Sequence, residues 1–147
     1  MLDINLERGL ARDAYTAGKI DDAISKQQAL IDQQATSTGE VLLIDYPTLA
    51  LFLIAAGKSE LAVDTLLPVV KARPDNADLL AILGLVFTNL KQHDEAIIRL
   101  KRSLELDQNS YTAADQLTRC YLAKRELKTA KHYGELALNI KDSLYGD

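Results

Sequence analysis

Four times along this 147-residue chain a leucine, followed by a small or modest residue, is answered thirteen positions later by an alanine. The leucines are Leu10, Leu49, Leu83 and Leu117, and Ala11, Ala50, Gly84 and Thr118 follow them. The answering alanines are Ala23, Ala62, Ala96 and Ala130, separated by 39, 34 and 34 residues. A fixed period of this length marks stacked helix pairs, each too small to bury its apolar face alone. The small residue lets the first helix of a pair, helix A, come close to the second, helix B, and the alanine is the matching contact. An all-α chain of four antiparallel helix pairs is therefore expected.

The breaks between helices carry the right chemistry. "AGKI" at 17–20 and "AGKS" at 56–59 place Gly18 and Gly57 where a helix ends in the left-handed conformation. "LKQH" at 90–93 and "AKRE" at 123–126 put Lys91 and Arg125 in that place, without glycine's conformational ease. Asp21, Ser59 and Asp94 read as N-caps or first-turn residues of the following helix. Helices are expected at 4–17, 20–34, 40–56, 59–72, 77–90, 93–106, 111–124 and 127–141. The first spacing exceeds the others by five residues (39 against 34), placed near "QQATSTGEV" at 33–41. With Thr38 and Glu40 as cap and first turn, the insertion would lengthen the helix that follows, and Pro47 would start or kink it. Pro68 is expected to bend its helix or end it early.

Composition narrows the class further. Hydrophobic residues make up 48%, with only three prolines and seven glycines, as a helical globular domain requires. A net charge of −4 without a dense basic cluster argues against nucleic acid or an anionic membrane surface as partner. The most apolar run, 41–57, is interrupted by Asp45 and Pro47 and reads as a buried helix, not a membrane span. No basic segment followed by an apolar core opens the chain, and Cys120 has no second cysteine to pair with. A cytoplasmic location is expected.

The pattern resembles the tetratricopeptide repeat family. The third unit carries Leu80, Leu83, Gly84, Phe87, Ala96 and Leu100; the second carries Tyr46, Leu49, Ala50, Leu53, Gly57, Ala62, Leu66 and Pro74. The fourth supplies Leu117, Tyr121, Ala130 and Ala137 but has Gly134 at a usually large position. The first supplies Leu10, Ala11, Ala23 and Leu30, with Tyr15 one place late. The resemblance implies a single domain, a right-handed α-solenoid with units at about 4–37, 38–76, 77–110 and 111–144, and a concave groove lined by helix A. The second unit would place Ile44, Pro47, Leu51, Ile54 and Ala55 in that groove, the third Asp78, Ala81, Leu85, Thr88 and Asn89, and the fourth Thr112, Asp115, Arg119, Leu122 and Ala123. Asp78 and Asp115 would make the later half more polar. Arg8 and Arg12 of the first and Arg119 of the fourth would stand toward its ends. An apolar centre suits an extended hydrophobic segment or a helix of a partner protein, provided neighbouring helices do not cover it. Asp115 and Arg119, at i and i+4, are expected to pair.

The resemblance leaves three uses open: a protein-interaction module, a secretion-type chaperone, or a substrate-recruiting domain of a larger enzyme such as a protein glycosyltransferase. Thr48, Asp78 and Ile82 stand where a carboxylate clamp would need Asn, Lys and Arg. Enzymatic chemistry is not expected. His132 and Glu135 are too few for a metal site, His93 falls in a turn, and Cys120 reads as a small buried residue. No cofactor or metal is expected. Tyr133, Leu136 and Ile140 are expected to lie uncovered on the last helix, so self-association to a homodimer is expected there, unless the chain is the N-terminal part of a longer protein.

Overall fold

A computed structural model describes residues 3–38, 41 and 43–146. Eight helices follow in order: α1 (Ile4–Thr16), α2 (Ile20–Thr38), α3 (Asp45–Ala55), α4 (Ser59–Ala72), α5 (Ala77–Asn89), α6 (His93–Leu106), α7 (Tyr111–Ala123) and α8 (Leu127–Tyr145). No strand occurs among the described residues. The class is all-α, and the helix order is that of a tetratricopeptide-type array. Two compact units divide the chain, Met1–Thr65 and Leu66–Asp147.

Side chains and turns account for the helix ends. Asp3 Oδ1 accepts from the Asn5 and Leu6 amides, at 3.1 Å each, and opens α1. Asn76 does the same for α5 through the Leu79 amide, and Ser110 for α7 through the Ala113 amide. Asp21 and Asp94 are first-turn acids of α2 and α6, where the macrodipole favours them. At four helix ends the same turn recurs, with crossed bonds such as Lys19 N to Ala14 O and Gly18 N to Tyr15 O. These are Schellman motifs, and each needs one left-handed residue. Gly18 and Gly57 supply it at φ 78° and 73°; Lys91 and Arg125 are held at 63° and 60°. For a residue with a Cβ, that conformation costs about 1–2 kcal/mol.

In the first unit Ala11, Ala14, Ala23 and Phe52 form a buried cluster with Ile24 against it. Tyr15 stacks on Phe52 at 4.7 Å between ring centres. The extra residues enter differently from expectation. They extend α2 to nineteen residues, while α3 has eleven and begins only at Asp45. Thr38 belongs to α2, and Glu40 lies outside the described residues. Pro47 sits in the first turn of α3, where its missing N–H costs little.

A buried polar network explains this start. Asp45 is 1% exposed. Its Oδ1 and Oδ2 accept from Arg8 Nε and Nη2, both at 2.8 Å, a two-pronged pair. Gln27 Nε2 donates to the Asp45 carbonyl at 3.0 Å and to Oδ1 at 3.3 Å; Gln34 Nε2 donates to Oδ2 at 2.9 Å. Gln27 and Gln34, seven apart on α2, so present one face to the N-terminus of α3. Burial alone would push the Asp45 carboxyl up. The bonds from Arg8 and Gln34, the Arg8 charge and the Gln27 bond outweigh it and hold the group below the usual carboxylate range.

In the second unit α5 packs on α6, α7 on α8, and α5 and α6 also meet α7. The close approach of α5 and α6 is made by Gly84: a Cβ there would lie 2.4 Å from Leu100 Cγ and Cδ2. One period later the sizes are exchanged. Gly134 stands at the position equivalent to Leu100, and a Cβ on it would meet Thr118 Cγ2 at 3.5 Å and Oγ1 at 3.9 Å, ordinary contact. Thr118, equivalent to Gly84, supplies the bulk, so Gly134 fits the repeat by exchange of volume. Ser103 Oγ donates to Ala77 O at 2.8 Å and ties α6 to the start of α5.

The expectation for the last helix changes, and of the two outcomes expected at Pro68 the early end does not occur. Pro68 does not end its helix, which continues to Ala72. On α8, Ile140 is 4% exposed and forms a buried cluster with Ala114 and Ala137, against which Leu136 and Leu104 pack. Tyr133 is half-buried and stacks on Tyr121 at 5.6 Å. The stripe read as a self-association surface is therefore the face α8 turns to its own neighbours; Leu127, Leu138, Leu144 and Tyr145 are its exposed apolar residues. No helix among the described residues is long and apolar enough to cross a membrane.

A candidate binding cleft between α5 and α7

Helical spacing brings two stripes of side chains to one cleft of the second unit. Leu85, Thr88 and Asn89 of α5 lie at i, i+3 and i+4; Gln116, Arg119 and Ala123 of α7 lie at i, i+3 and i+7. The turn adds Lys91, and the first residue of α6 adds His93. Together these eight residues line a volume of about 350 Å³. The size suits one or two side chains of a bound segment.

Thr88 and Cys120 join the two helices. The Thr88 hydroxyl donates to Gly84 O at 2.9 Å, and its oxygen lies 3.2 Å from Cys120 Sγ. Either the Thr88 hydroxyl or the Cys120 thiol can be the donor between them. Burial pushes the Cys120 thiol up, against the opposing effects of Thr88 and Lys124. A buried thiol kept protonated is a packing group and not a nucleophile.

The polar rim is uneven in charge. Lys91 and Arg119 bring two fixed positive charges and His93 an imidazole, and none of the eight described lining residues is a carboxylate. Arg119 Nε donates to Asp115 Oδ2 at 3.0 Å, so the expected i, i+4 pair is formed. The Arg119 side chain is 65% exposed, and an exposed helix pair of this kind is worth only about 0.3–0.5 kcal/mol. Its other nitrogens remain available. Asp94, close in sequence to the cleft, is engaged by Lys124, which holds its carboxyl below the ordinary range. His93 Nδ1 is buried and finds no hydrogen-bond partner among the described residues.

Of the groove residues read from the sequence, Leu85, Thr88, Asn89, Arg119 and Ala123 meet in this cleft. Ala81 does not: it is 3% exposed, because α5 is covered by both α6 and α7 and so buries a wider face. Arg12, Ile44, Pro47, Leu51 and Ile54 belong to the first unit. There Arg12, Ile44 and Leu51 are exposed, Pro47 and Ile54 half-buried. Arg8, also assigned to the groove, is instead committed to Asp45. Lys91, His93 and Gln116 escaped the sequence reading as site residues. The first two lie in the turn and at the helix start, outside the helix A register from which groove positions were counted. His132 and Glu135 are both exposed, and no three His, Cys, Asp or Glu side chains stand together among the described residues.

No protein-family model matches the chain, and no curated protein matches its sequence. Solved structures do match in fold. A crystal structure of MamA aligns with TM-score 0.72 and 20% identity, covering 96% of this chain and 80% of that one. MamA from Desulfovibrio magneticus RS-1, from residue 41 to its end, aligns with TM-score 0.75 and 18% identity over 96% of this chain and 77% of that one. MamA of AMB-1 gives 0.72 and 22%, over 96% and 80%. At these identities the likeness is one of fold, a helical-repeat solenoid.

Proposed function

We propose that this chain is a protein-interaction module, binding an extended segment of a partner protein through helix A residues. The observation that carries the reading is the cleft between α5 and α7. Five side chains that the family resemblance placed in a groove, Leu85, Thr88, Asn89, Arg119 and the apolar Ala123, line a space of about 350 Å³ together with the polar Lys91, His93 and Gln116. A bound strand needs backbone partners and small apolar pockets, and the cleft offers both kinds of surface. Chemistry is a poor alternative at the cleft, because the thiol beside it is buried and its pKa is raised by burial. The exposed Ile44 and Leu51 of the first unit are a separate apolar contact surface for the same class of partner.

The test is affinity capture from a lysate of the source organism, comparing wild type with Leu51→Arg/Leu85→Arg and with Arg119→Glu. Arg119 is exposed, so its variant keeps the fold, and circular dichroism checks the double variant. A partner retained by wild type and lost from both variants is the expected result. A partner held equally by all three would overturn the reading.

A further inference from the structure

The cleft's lining also selects the charge of what it binds, and this inference rests on the binding reading above. We infer that the α5–α7 cleft receives a carboxylate side chain, a glutamate or aspartate, from an acidic segment of the partner. The chain as a whole is acidic, at −4, yet the eight lining residues include two fixed cations, an imidazole and no carboxylate. A local excess of positive charge in an acidic protein attracts anions and rejects cations at short range. Lys91 takes part in no ion pair among the described residues. Arg119 spends Nε on Asp115 and keeps its terminal nitrogens for a second, two-pronged acceptor. The unpaired, buried His93 Nδ1 is a cost that the fold alone leaves standing, relieved by a bound group or an ordered water.

Lys91 makes the idea separable from stability. It holds a left-handed turn position where the first two pairs use glycine. Arg125 shares that conformation away from the cleft, so the conformation itself does not argue for binding. Its value is that Lys91→Gly removes the cation and relieves the backbone together, giving a variant at least as stable as wild type.

The experiment titrates the ¹⁵N-labelled chain with three capped pentapeptides, identical except for a central glutamate, glutamine or lysine between leucines. Expected are shifts of the Asn89, Lys91, His93 and Gln116 amides with the glutamate peptide, and binding at least about five-fold weaker for glutamine. The preference should fade at about 0.5 M salt and be lost in Lys91→Gly combined with Arg119→Gln. If the glutamate and glutamine peptides bind equally at the cleft, the carboxylate inference falls while segment binding stands. If the lysine peptide binds best, the charge reasoning is reversed and the inference is overturned. If no peptide moves these amides, the inference fails, and the capture experiment judges the interaction module independently.

Discussion

Replacing Asp45 with asparagine keeps the shape of the side chain and removes one acceptor. Each carboxylate oxygen takes two bonds: Oδ1 from Arg8 Nε and Gln27, Oδ2 from Arg8 Nη2 and Gln34. Whichever oxygen becomes an NH2 group, one Arg8 nitrogen and one glutamine amide then face a donor. Both lost bonds end on an ionised carboxylate, so at about 1.5–3 kcal/mol each they give an expected loss of about 3–5 kcal/mol for Asp45→Asn. That agrees with the cost of breaking a buried pair by removing one partner, about 3–5 kcal/mol. Arg8→Lys, which keeps the charge but not the fork, should lose less. Urea denaturation followed by hydrogen exchange of α1–α3 amides measures this directly. The sign with pH follows from the direction of the shift. Asp45 is held below its usual value, so the unfolded chain takes up its proton at a higher pH than the folded one. The network's contribution is thus intact above about pH 4 and is lost as pH falls through the lowered folded value. The gap between wild type and Asp45→Asn should close over that acid range. A loss under about 1 kcal/mol at neutral pH, or a gap unchanged by acid, would refute the reasoning.

Two further substitutions test the packing and the turns. Gly84→Ala and Gly134→Ala should have opposite signs, read from paired denaturation curves. Both gain about 0.8–1 kcal/mol of helix propensity, but the first drives a Cβ into buried Leu100, at about 1–3 kcal/mol, while the second makes ordinary contact with Thr118. Arg125→Gly should stabilise by roughly 1 kcal/mol by relieving a left-handed residue, seen as a raised melting temperature; a destabilised variant would mean its side chain matters more than its backbone.

The repeat was legible because helical pairing forces local periodicity: Leu83, Gly84 and Ala96 fall where packing geometry demands them, and so do Leu117, Thr118 and Ala130. Helix starts at 4, 20, 59, 77, 93, 111 and 127 follow from local capping and turn chemistry, with no need of distant partners. The start of α3 does not, because it is set by Arg8 and Gln27, 37 and 18 residues away from Asp45. A lone aspartate in an apolar run, and glutamines seven apart where a core face should be apolar, were the available signals. The family resemblance placed Leu85, Thr88, Asn89 and Arg119 on the groove side, and helical spacing then puts Leu85, Thr88 and Asn89 on one face of α5. It could not say that Ala81 is covered by a second helix, or that Ile140 is turned inward. Nor could it bring Lys91 and His93 to the cleft wall. Those facts depend on which helix lies over which, and that is decided by long-range packing that no local pattern records.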